Sequence, residues 1–468
     1  MSDIVNKLWG FCHTLRHDGI DYGDYIEQLT YLLFLKMAEE KDVDIPKKYN
    51  WDSLKKESGT DLLDHYTEIL RKLREQPGIL GDIFTQAVPR FNNPVNLKRL
   101  LAMIDEEDWS SMDVDVKGEA FEGLLEKAAS EGKKGAGQYF TPRILIQSLV
   151  RVMKPDPREA KDFTICDPAC GSGGFLMVAY EWLMEITKGA LDRKDIKRIK
   201  TKTYYGQDLV PRPRRLALMN LYLHGLEPHI YLGDTIYEPL KNELYNCVLT
   251  NPPFGTKGAN QAPEREDFTI STSNKQLNFI QHVVNILKPG GRAAVVLPDN
   301  CLFADTAGDV FEILMQDCNL HTILRLPRGT FTPYSPGTKT NVIFFQKGLP
   351  TTDTWIFDAR SNVPGITKKD RPLTPEYFKE FEKCYGKDPN GRSQRKDLGE
   401  EGRFRKFSID DIKERDYKLD LTWLKDDAVE SANDLPEPDV LVSEAVTELE
   451  AVVDSLNELL TEIETNGN

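Results

Sequence analysis

The sequence predicts an α/β protein with a mostly parallel, doubly wound sheet, preceded by a helical region and followed by a helical tail. Short β-rich segments alternate with helical segments from about residue 137 to residue 360, which is the pattern of such a sheet. The predicted strands are 163–166, 203–205, 230–232, 247–250 and 293–297. Helical spacing dominates the chain before this region and returns at the end of the sequence.

The N-terminal region predicts helices around an apolar core. Asp24 and Glu27 form a capping-box pattern, and the apolar run from 26 to 35 is too hydrophobic to lie on a surface. Two further sets of apolar residues repeat at helical spacing: Leu62, Tyr66, Ile69, Leu70 and Leu73, then Phe121, Leu124, Leu125 and Ala128. The segment 131–137 is rich in glycine and lysine and predicts a flexible junction.

These patterns divide the chain into four parts. We expect a helical domain over 1–131, a catalytic domain over 132–385 and a polar extension over 386–435. An acidic amphipathic helix is expected over 436–468. Near the end of the catalytic domain, the segments 323–326 and 341–345 are predicted to pair as an antiparallel hairpin.

The net charge of −15 comes mostly from the tail. Residues 426–468 contain 13 acidic residues and no Lys or Arg, which leaves 60 basic and 62 acidic residues in the rest of the chain. A nearly neutral body can approach DNA but lacks the broad basic footprint of a strong autonomous DNA binder. The segment 188–215 holds ten Lys or Arg against three Asp, and predicts either a solvated helix face or a phosphate track.

Composition excludes several classes of protein. No apolar stretch approaches the roughly 18 residues of a membrane span, and the N-terminus lacks the basic start and apolar run of a signal peptide. The seven cysteines include no Cys-x-x-Cys pair, which suits reduced thiols. Cys166 and Cys170 are interpreted as packing residues. We expect a cytoplasmic protein without a metal site.

A glycine-rich loop follows the first predicted strand. Its residues are Asp167, Pro168, Ala169, Cys170, Gly171, Ser172, Gly173 and Gly174. Glycines allow a ligand to approach the backbone closely, and the helix that follows offers unpaired N–H groups. The loop matches neither the nucleoside-triphosphate nor the dinucleotide fingerprint. Asp167 before the glycines suits a cofactor that carries an ammonium group.

Two more strands end in carboxylates. Asp208 closes the second strand and is placed to accept bonds from two ribose hydroxyls. Asp234 and Thr235 follow the third strand, where a carboxylate can accept from an adenine amine. Each Asp taken singly could equally be a turn or cap residue, but carboxylates at the ends of three successive strands describe one cleft.

Asn251, Pro252, Pro253 and Phe254 end the fourth strand and carry the predicted chemistry. The amine of adenine is a poor nucleophile because its lone pair is delocalised. The Asn251 side-chain oxygen and the Pro252 carbonyl can each accept one of its N–H groups, which aims the lone pair and stabilises the developing charge. Phe254 offers a face on which an extruded base can stack. The polar segment 256–276 is expected to be mobile without DNA.

The order of these motifs resembles the amino-group DNA methyltransferases, and among them the modification subunits of type I restriction–modification systems. The resemblance rests on the motif that begins at Gly137, the glycine loop, the Asn251 motif and the segments 118–125, 326–331 and 416–419. It implies the fold of S-adenosylmethionine-dependent methyltransferases and methylation of adenine N6 in double-stranded DNA. It also implies that the cofactor S-adenosylmethionine contacts Gln138, Tyr139, Phe140, Thr141, Pro142 and Arg143.

The same resemblance implies partners. In such systems a separate specificity subunit reads the DNA, two modification subunits join it, and a restriction subunit is a further partner. The tail supplies a surface for docking, because Val442, Val446, Leu449, Val453, Leu456, Leu460 and Ile463 form an apolar heptad seam. Alternatives are methylation of cytosine N4, RNA guanine or protein glutamine, and a non-catalytic assembly protein that kept the fold.

Overall fold

A computed structural model describes residues 8, 10–11, 19–20, 22–40, 44–107, 109, 141–238, 243–254, 261–304, 306–332, 337–367, 370–424, 449 and 453. The chain divides into two compact units. The first combines residues 1–136 with 171–173 and 210–228, and the second contains 137–170, 174–209 and 229–468. Two short sequence segments from the middle of the chain therefore belong to the N-terminal unit.

The first unit is helical where it is described. Its helices are α1 (Tyr22–Glu40), α2 (Trp51–Lys56), α3 (Gly59–Arg74), α4 (Ile79–Phe84) and α5 (Pro94–Asp105). The five apolar residues predicted to repeat between 62 and 73 all lie in α3 and are buried, as are those of the apolar run in α1. Both patterns are thus confirmed as core-forming helix faces.

The predicted capping box at Asp24 is wrong. Helix α1 begins at Tyr22, so Asp24 lies inside the first turn. Its carboxylate instead pairs with Arg90 and Arg212, and Glu27 pairs with Arg212 and Arg215. Asp24 and Glu27 thus form ion pairs with residues that are distant in the sequence. For this reason, their capping-box spacing predicted the wrong start for the helix.

Helix α9 (Pro211–Leu223) also belongs to this unit, although it lies far from residues 1–136 in the sequence. Arg212 and Arg215 of α9 bind Glu27, and Arg214 binds Asp82 at 3.3 Å. Three basic residues of the segment 188–215 therefore have structural partners. The remaining basic residues of that segment lie mostly in α8 (Arg193–Lys202), a helix of the second unit in which only Ile199 is buried.

The second unit is built on a nine-stranded sheet. Its strands are β1 (Ile165–Asp167), β2 (Tyr204–Asp208), β3 (His229–Leu232), β4 (Tyr245–Thr250), β5 (Leu287–Pro298), β6 (Cys318–Arg325), β7 (Thr340–Lys347), β8 (Asp353–Asp358) and β9 (Phe404–Ser408). The order is β3-β2-β1-β4-β5-β7-β6-β8-β9. Strands β1 to β5 run parallel to one another, whereas β7 runs antiparallel between β5 and β6. The pairing of Ile323 with Ile343 confirms the predicted hairpin.

Helices cover this sheet in two groups. One contains α6 (Arg143–Met153), α7 (Gly174–Thr187) and α12 (Glu376–Tyr385), which pack together. The other contains α10 (Lys275–Ile286) and α11 (Ala307–Asp317), which bury apolar side chains against β4, β5 and β6. The short helix α13 (Ile409–Lys413) follows β9. The sheet thus continues past residue 385.

Several predictions fall outside the described residues: the helical set 121–128, the junction 131–137 and most of the tail. Leu449 and Val453 of the tail are helical and exposed. Within the described part of the chain, no helix has the length and apolar character needed to span a membrane.

Candidate active site

The carboxyl ends of four parallel strands place the predicted residues at one edge of the sheet. Asp167 ends β1, Asp208 ends β2, and Asn251 follows β4. The register pairs Asp167 with Gly206 and Asp208 with Leu232, so β1, β2 and β3 end at nearly the same level. Ligands of open α/β sheets bind at this edge.

Asp167 links the end of β1 to the end of β4. Its side chain is buried, and Oδ1 accepts the Thr250 hydroxyl over 2.7 Å and the backbone N–H of Ala169 over 3.1 Å. Burial raises the pKa of Asp167 to about 7, an effect that the two hydrogen bonds offset only in part. Because Thr250 immediately precedes Asn251, this bond ties the end of β1, where the glycine loop begins, to the strand that leads into Asn251.

The loop after β3 is shaped by Asp234 and Thr235. Asp234 Oδ1 accepts from the backbone N–H groups of Ile236 and Tyr237 at 2.9 and 3.0 Å, so the turn role that the sequence allowed is realised. The Thr235 hydroxyl donates to the Pro168 carbonyl over 2.6 Å and is buried. The loops after β1 and β3 are therefore bonded to each other.

The glycines of the loop after β1 belong to the first compact unit. Gly171 and Gly173 have φ angles of +52° and +82°, a left-handed region that favours glycine. A Cβ atom on Gly173 would lie 3.2 Å from the Ala217 Cβ atom, whereas one on Gly171 would meet nothing within 4 Å. Ser172 lies between them, and its carbonyl accepts from the Asn220 side chain at 3.5 Å.

Asn251 presents an unpaired acceptor. Its Nδ2 donates to the Thr141 hydroxyl over 2.8 Å, which fixes the plane and orientation of the amide. Its Oδ1 is buried and has no hydrogen-bond partner among the described residues. A buried polar atom without a partner is costly in a folded protein, and such atoms often await a ligand.

The rest of the motif is held by its neighbours. The Pro253 carbonyl accepts the Gln276 side-chain amide over 2.9 Å. The ring of Phe254 packs edge-on against Phe331, with 5.5 Å between ring centroids and an angle of 81°. Phe331 is fully buried and belongs to the segment 326–331 that carried part of the resemblance.

Part of the segment after Phe254 is hydrogen-bonded to helix α10. The Gln281 side chain bonds both the N–H and the carbonyl of Ile270 at 2.9 Å, and Asn278 bonds the Thr272 carbonyl at 2.8 Å. These contacts fasten Ile270 and Thr272 to α10, while the mobility of 256–276 without DNA stays a prediction. Residues 256–260 lie outside the described part.

The residues that the resemblance assigns to the cofactor lie before α6 and at its first position. Thr141 contacts Asn251, Pro142 occupies the N-cap position of α6, and Arg143 donates to Glu181 of α7 at 2.5 Å. Gln138, Tyr139 and Phe140 lie outside the described residues.

A small cleft adjoins this edge of the sheet. Its lining residues are Cys166, Pro168, Gly206, Gln207, Tyr231, Asp234, Thr235, Glu243, Tyr245, His282 and Ile286. Pro168, Asp234 and Thr235 belong to the predicted cofactor loops, whereas Asn251 does not line the cleft.

Comparison with protein families decides the class of this enzyme. The model of the N-6 DNA methylase family matches residues 112–431, and the HsdM N-terminal domain model matches residues 4–44. The chain belongs to the N-6 DNA methylase family. The predicted fold and enzyme class are confirmed.

Relatives of this methylase place it among type I systems. It is 39% identical over 513 residues to the methylase subunits of type I restriction enzymes StySJI of Salmonella typhimurium and EcoKI of Escherichia coli. In each comparison 99% of this chain and 95% of the relative are covered. A solved chain from a study of complex assembly and conformational transition of the type I R-M system is 27% identical, with a TM-score of 0.72 over 100% of this chain and 99% of that chain.

These matches show that the methylase is a type I methylase subunit. They do not favour the alternative substrates that the sequence left open.

Sequence reasoning missed several residues that shape the site. Thr250, Gln276 and Phe331 support the predicted residues through contacts that no motif spacing reveals. Thr250 ends the predicted strand 247–250, and Phe331 ends the segment 326–331. Gln276 carried no signal in the sequence.

Proposed function

We propose that this methylase transfers a methyl group from S-adenosylmethionine to the N6 amine of adenine in double-stranded DNA, through Asn251. The observation that carries the proposal is the buried Asn251 Oδ1, an acceptor without a partner among the described residues beside a fixed amide nitrogen. Family membership supports the reaction, and the strand-end geometry supports the placement of the cofactor.

The chain's own residues prepare the amine. Asn251 Oδ1 accepts one N–H of the target amine, and the Pro252 carbonyl accepts the other. Both acceptors draw electron density toward nitrogen and stabilise the positive charge that develops there. Phe254, braced by Phe331, stacks on the extruded base. The bound S-adenosylmethionine supplies an electrophilic methyl group on its sulfonium. Nitrogen gains the methyl group, S-adenosylhomocysteine is released, and the amine proton goes to solvent.

The cofactor residues are assigned in three groups. Asp167 faces the ammonium group, with the backbone of Ala169, Gly171, Ser172 and Gly173 close to the amino-acid end. Asp208 binds the ribose hydroxyls, while Asp234 and Thr235 lie at the adenine. The third group is the segment that leads into α6. It contains Gln138, Tyr139, Phe140, Thr141, Pro142 and Arg143. Arg143 also donates to Glu181 of α7.

The proposed reaction is tested by looking for methylated bases in DNA. The chain would be expressed with its genomic neighbours in a host that lacks adenine methylation, and the DNA sequenced for methylated adenine. N6-methyladenine at one sequence supports the proposal. Methylated cytosine, or no methylated base together with no binding of S-adenosylmethionine, would overturn it.

We further propose that the tail docks a specificity subunit, with two methylase chains to each specificity chain. Leu449 and Val453 of the seam are 64% and 53% exposed, an apolar pair that awaits a partner. Self-pairing would set acidic faces against each other. A partner with its own heptad helix and some Lys or Arg would bury the seam and relieve the charge.

Deleting the chain from Pro436 onward tests the docking. We expect S-adenosylmethionine binding to persist, while co-purification with the specificity subunit and site-specific methylation are lost. A second variant, Leu449→Lys with Val453→Lys, should reproduce the loss, and Asp454→Asn outside the seam serves as its control. A truncated chain that still assembles and methylates its site would contradict the proposal. A lower melting temperature of the isolated truncated chain would instead indicate that the tail packs on its own chain and stabilises it.

A further inference from the structure

Arg265 is a buried arginine with no part in any motif of the sequence. It lies between Phe254 and α10, and its side chain is only 2% exposed. A guanidinium group is removed from water at a high cost unless its donors are satisfied. Its partners therefore indicate what the residue holds in place.

The guanidinium of Arg265 connects two loops and a helix. Nη1 donates to the Thr235 carbonyl over 2.8 Å and to His282 Nδ1 over 3.2 Å. Nε and Nη2 donate to the two carboxylate oxygens of Asp267 at 2.9 and 2.5 Å. The ring of Phe268 lies under the group, 4.1 Å from centroid to carbon. These hydrogen bonds and the Phe268 ring hold the guanidinium fork of Arg265 in one orientation.

Helix α10 fixes the position of Asp267, the carboxylate that binds the Arg265 guanidinium. The Asn285 side-chain amide donates to Asp267 Oδ2 over 2.9 Å and to the Asp267 carbonyl over 2.6 Å. Asp267 is thereby fixed to the helix, and Arg265 is fixed to Asp267. The bond to Thr235 then transmits that position to the loop after β3.

The same chain of hydrogen bonds reaches the loop after β1. Thr235 receives Arg265 at its carbonyl and donates its hydroxyl to the Pro168 carbonyl. Thr235, Pro168 and His282 all line the cleft at this edge of the sheet. Arg265 therefore bonds directly to two residues of the cleft wall and acts on a third through Thr235.

We propose that Arg265 is a positioning residue that fixes the Asp234–Thr235 loop for the adenosine end of S-adenosylmethionine. This inference rests on the proposed function. Without the Arg265 guanidinium, the Asp234–Thr235 loop loses its link to α10. Asp234 is then no longer held at the distance and angle that the adenine amine requires. The bonds of Asn251 do not involve Arg265, so the chemical step is preserved once the cofactor is bound.

Arg265→Lys is the informative variant, because it keeps the charge and removes the fork. We expect the KM and the Kd for S-adenosylmethionine to rise roughly tenfold, as for the loss of a charge-assisted hydrogen bond, with kcat at saturating cofactor close to wild type. Adenosine alone, which lacks the methionine part, should lose affinity by the same factor. Arg265→Gln should show the same split.

Arg292→Lys is the matched control. Arg292 is also buried, binds both oxygens of Glu159, and donates to the carbonyls of Met153 and Lys154, away from the cleft. It should lower the melting temperature in a similar way but leave the KM for the cofactor unchanged. A wild-type KM in Arg265→Lys, or equal increases in the two variants, would overturn the proposal.

A measurement on the wild-type protein covers the case in which the Arg265 variants do not fold. S-adenosylmethionine is expected to slow amide hydrogen exchange in 234–238 and 265–268 together. Protection of the first segment without the second would refute the coupling. Failure of the wild-type protein to bind S-adenosylmethionine at all would instead count against the proposed function.

Discussion

The Asn251 side-chain amide donates to the Thr141 hydroxyl over 2.8 Å, and the opposite side of the same amide has no partner among the described residues. One hydrogen bond thus decides which way the amide faces. The hydroxyl comes from the segment before α6, and the amide from the end of β4. The motif that the resemblance assigned to the cofactor therefore also orients Asn251, the residue proposed to hold the target amine.

Removing the Thr141 hydroxyl should slow methyl transfer more than it weakens cofactor binding. Thr141→Val is expected to lower the single-turnover rate by roughly tenfold to a hundredfold, as an orienting hydrogen bond of about 1–3 kcal/mol predicts. Thr141→Ser keeps the hydroxyl and should retain most of the rate. Weaker binding of S-adenosylmethionine with an unchanged rate would show that Thr141 serves only the cofactor.

The buried Asp167 predicts a pH dependence of stability. Its pKa is raised from 3.8 to about 7, chiefly by burial. The folded protein therefore keeps a proton that the unfolded chain has released, and this stabilisation is full below pH 3.8 and lost as the pH rises through about 7. Asp167→Asn should flatten this slope and raise the free energy of unfolding at alkaline pH, by at most about 4 kcal/mol at about 1.4 kcal/mol per pKa unit.

Chemical denaturation at several pH values measures this effect, and Asp156→Asn provides a control of opposite sign. Burial would raise the pKa of Asp156, but bonds from Arg158 lower it overall, so its ionised form stabilises the fold. A slope that is unchanged in Asp167→Asn would contradict the assignment. S-adenosylmethionine affinity in the wild type should rise over the same pH interval, because the ionised carboxylate is the proposed partner of the ammonium.

Stacking on Phe254 should respond to the chemistry of the ring. Phe254→Ala is expected to weaken productive DNA binding about tenfold or more, given roughly 1–3 kcal/mol for a stacked base. Phe254→Tyr and Phe254→Trp should keep much of the activity. Phe331→Leu removes the ring that braces Phe254 and should cause a smaller loss of the same kind. Methylation kinetics with increasing DNA concentration measure these effects, and equal losses in all four variants would exclude stacking.

Much of this site was predictable because strand ends have fixed places in a parallel sheet. Asp167, Asp208 and Asn251 were placed at one edge from their positions after β-rich segments, and the register confirms that placement. The hairpin of β6 and β7 was predictable because both strands are apolar and a Pro- and Gly-rich loop joins them.

Other features depend on contacts between distant residues. The start of α1 was misplaced because Asp24 serves ion pairs with Arg90 and Arg212 instead of a cap. The polar composition of 256–276 predicts mobility, yet Gln281 and Asn278 of α10 bind the backbone of Ile270 and Thr272, and Arg265 bonds to the loop after β3. Composition reports how polar a segment is but not whether its polar groups find partners.

The most direct measurement is methyl transfer to adenine by Asn251→Ala, made beside the affinity of the same variant for S-adenosylmethionine. The buried Oδ1 atom is assigned to the target amine and not to the cofactor. The expected result is therefore a loss of more than about a thousandfold in the rate of N6-methyladenine formation, with cofactor affinity close to wild type. A variant that binds the cofactor and methylates adenine within about tenfold of the wild-type rate, a difference of only about 1.4 kcal/mol, would contradict the central role of Asn251.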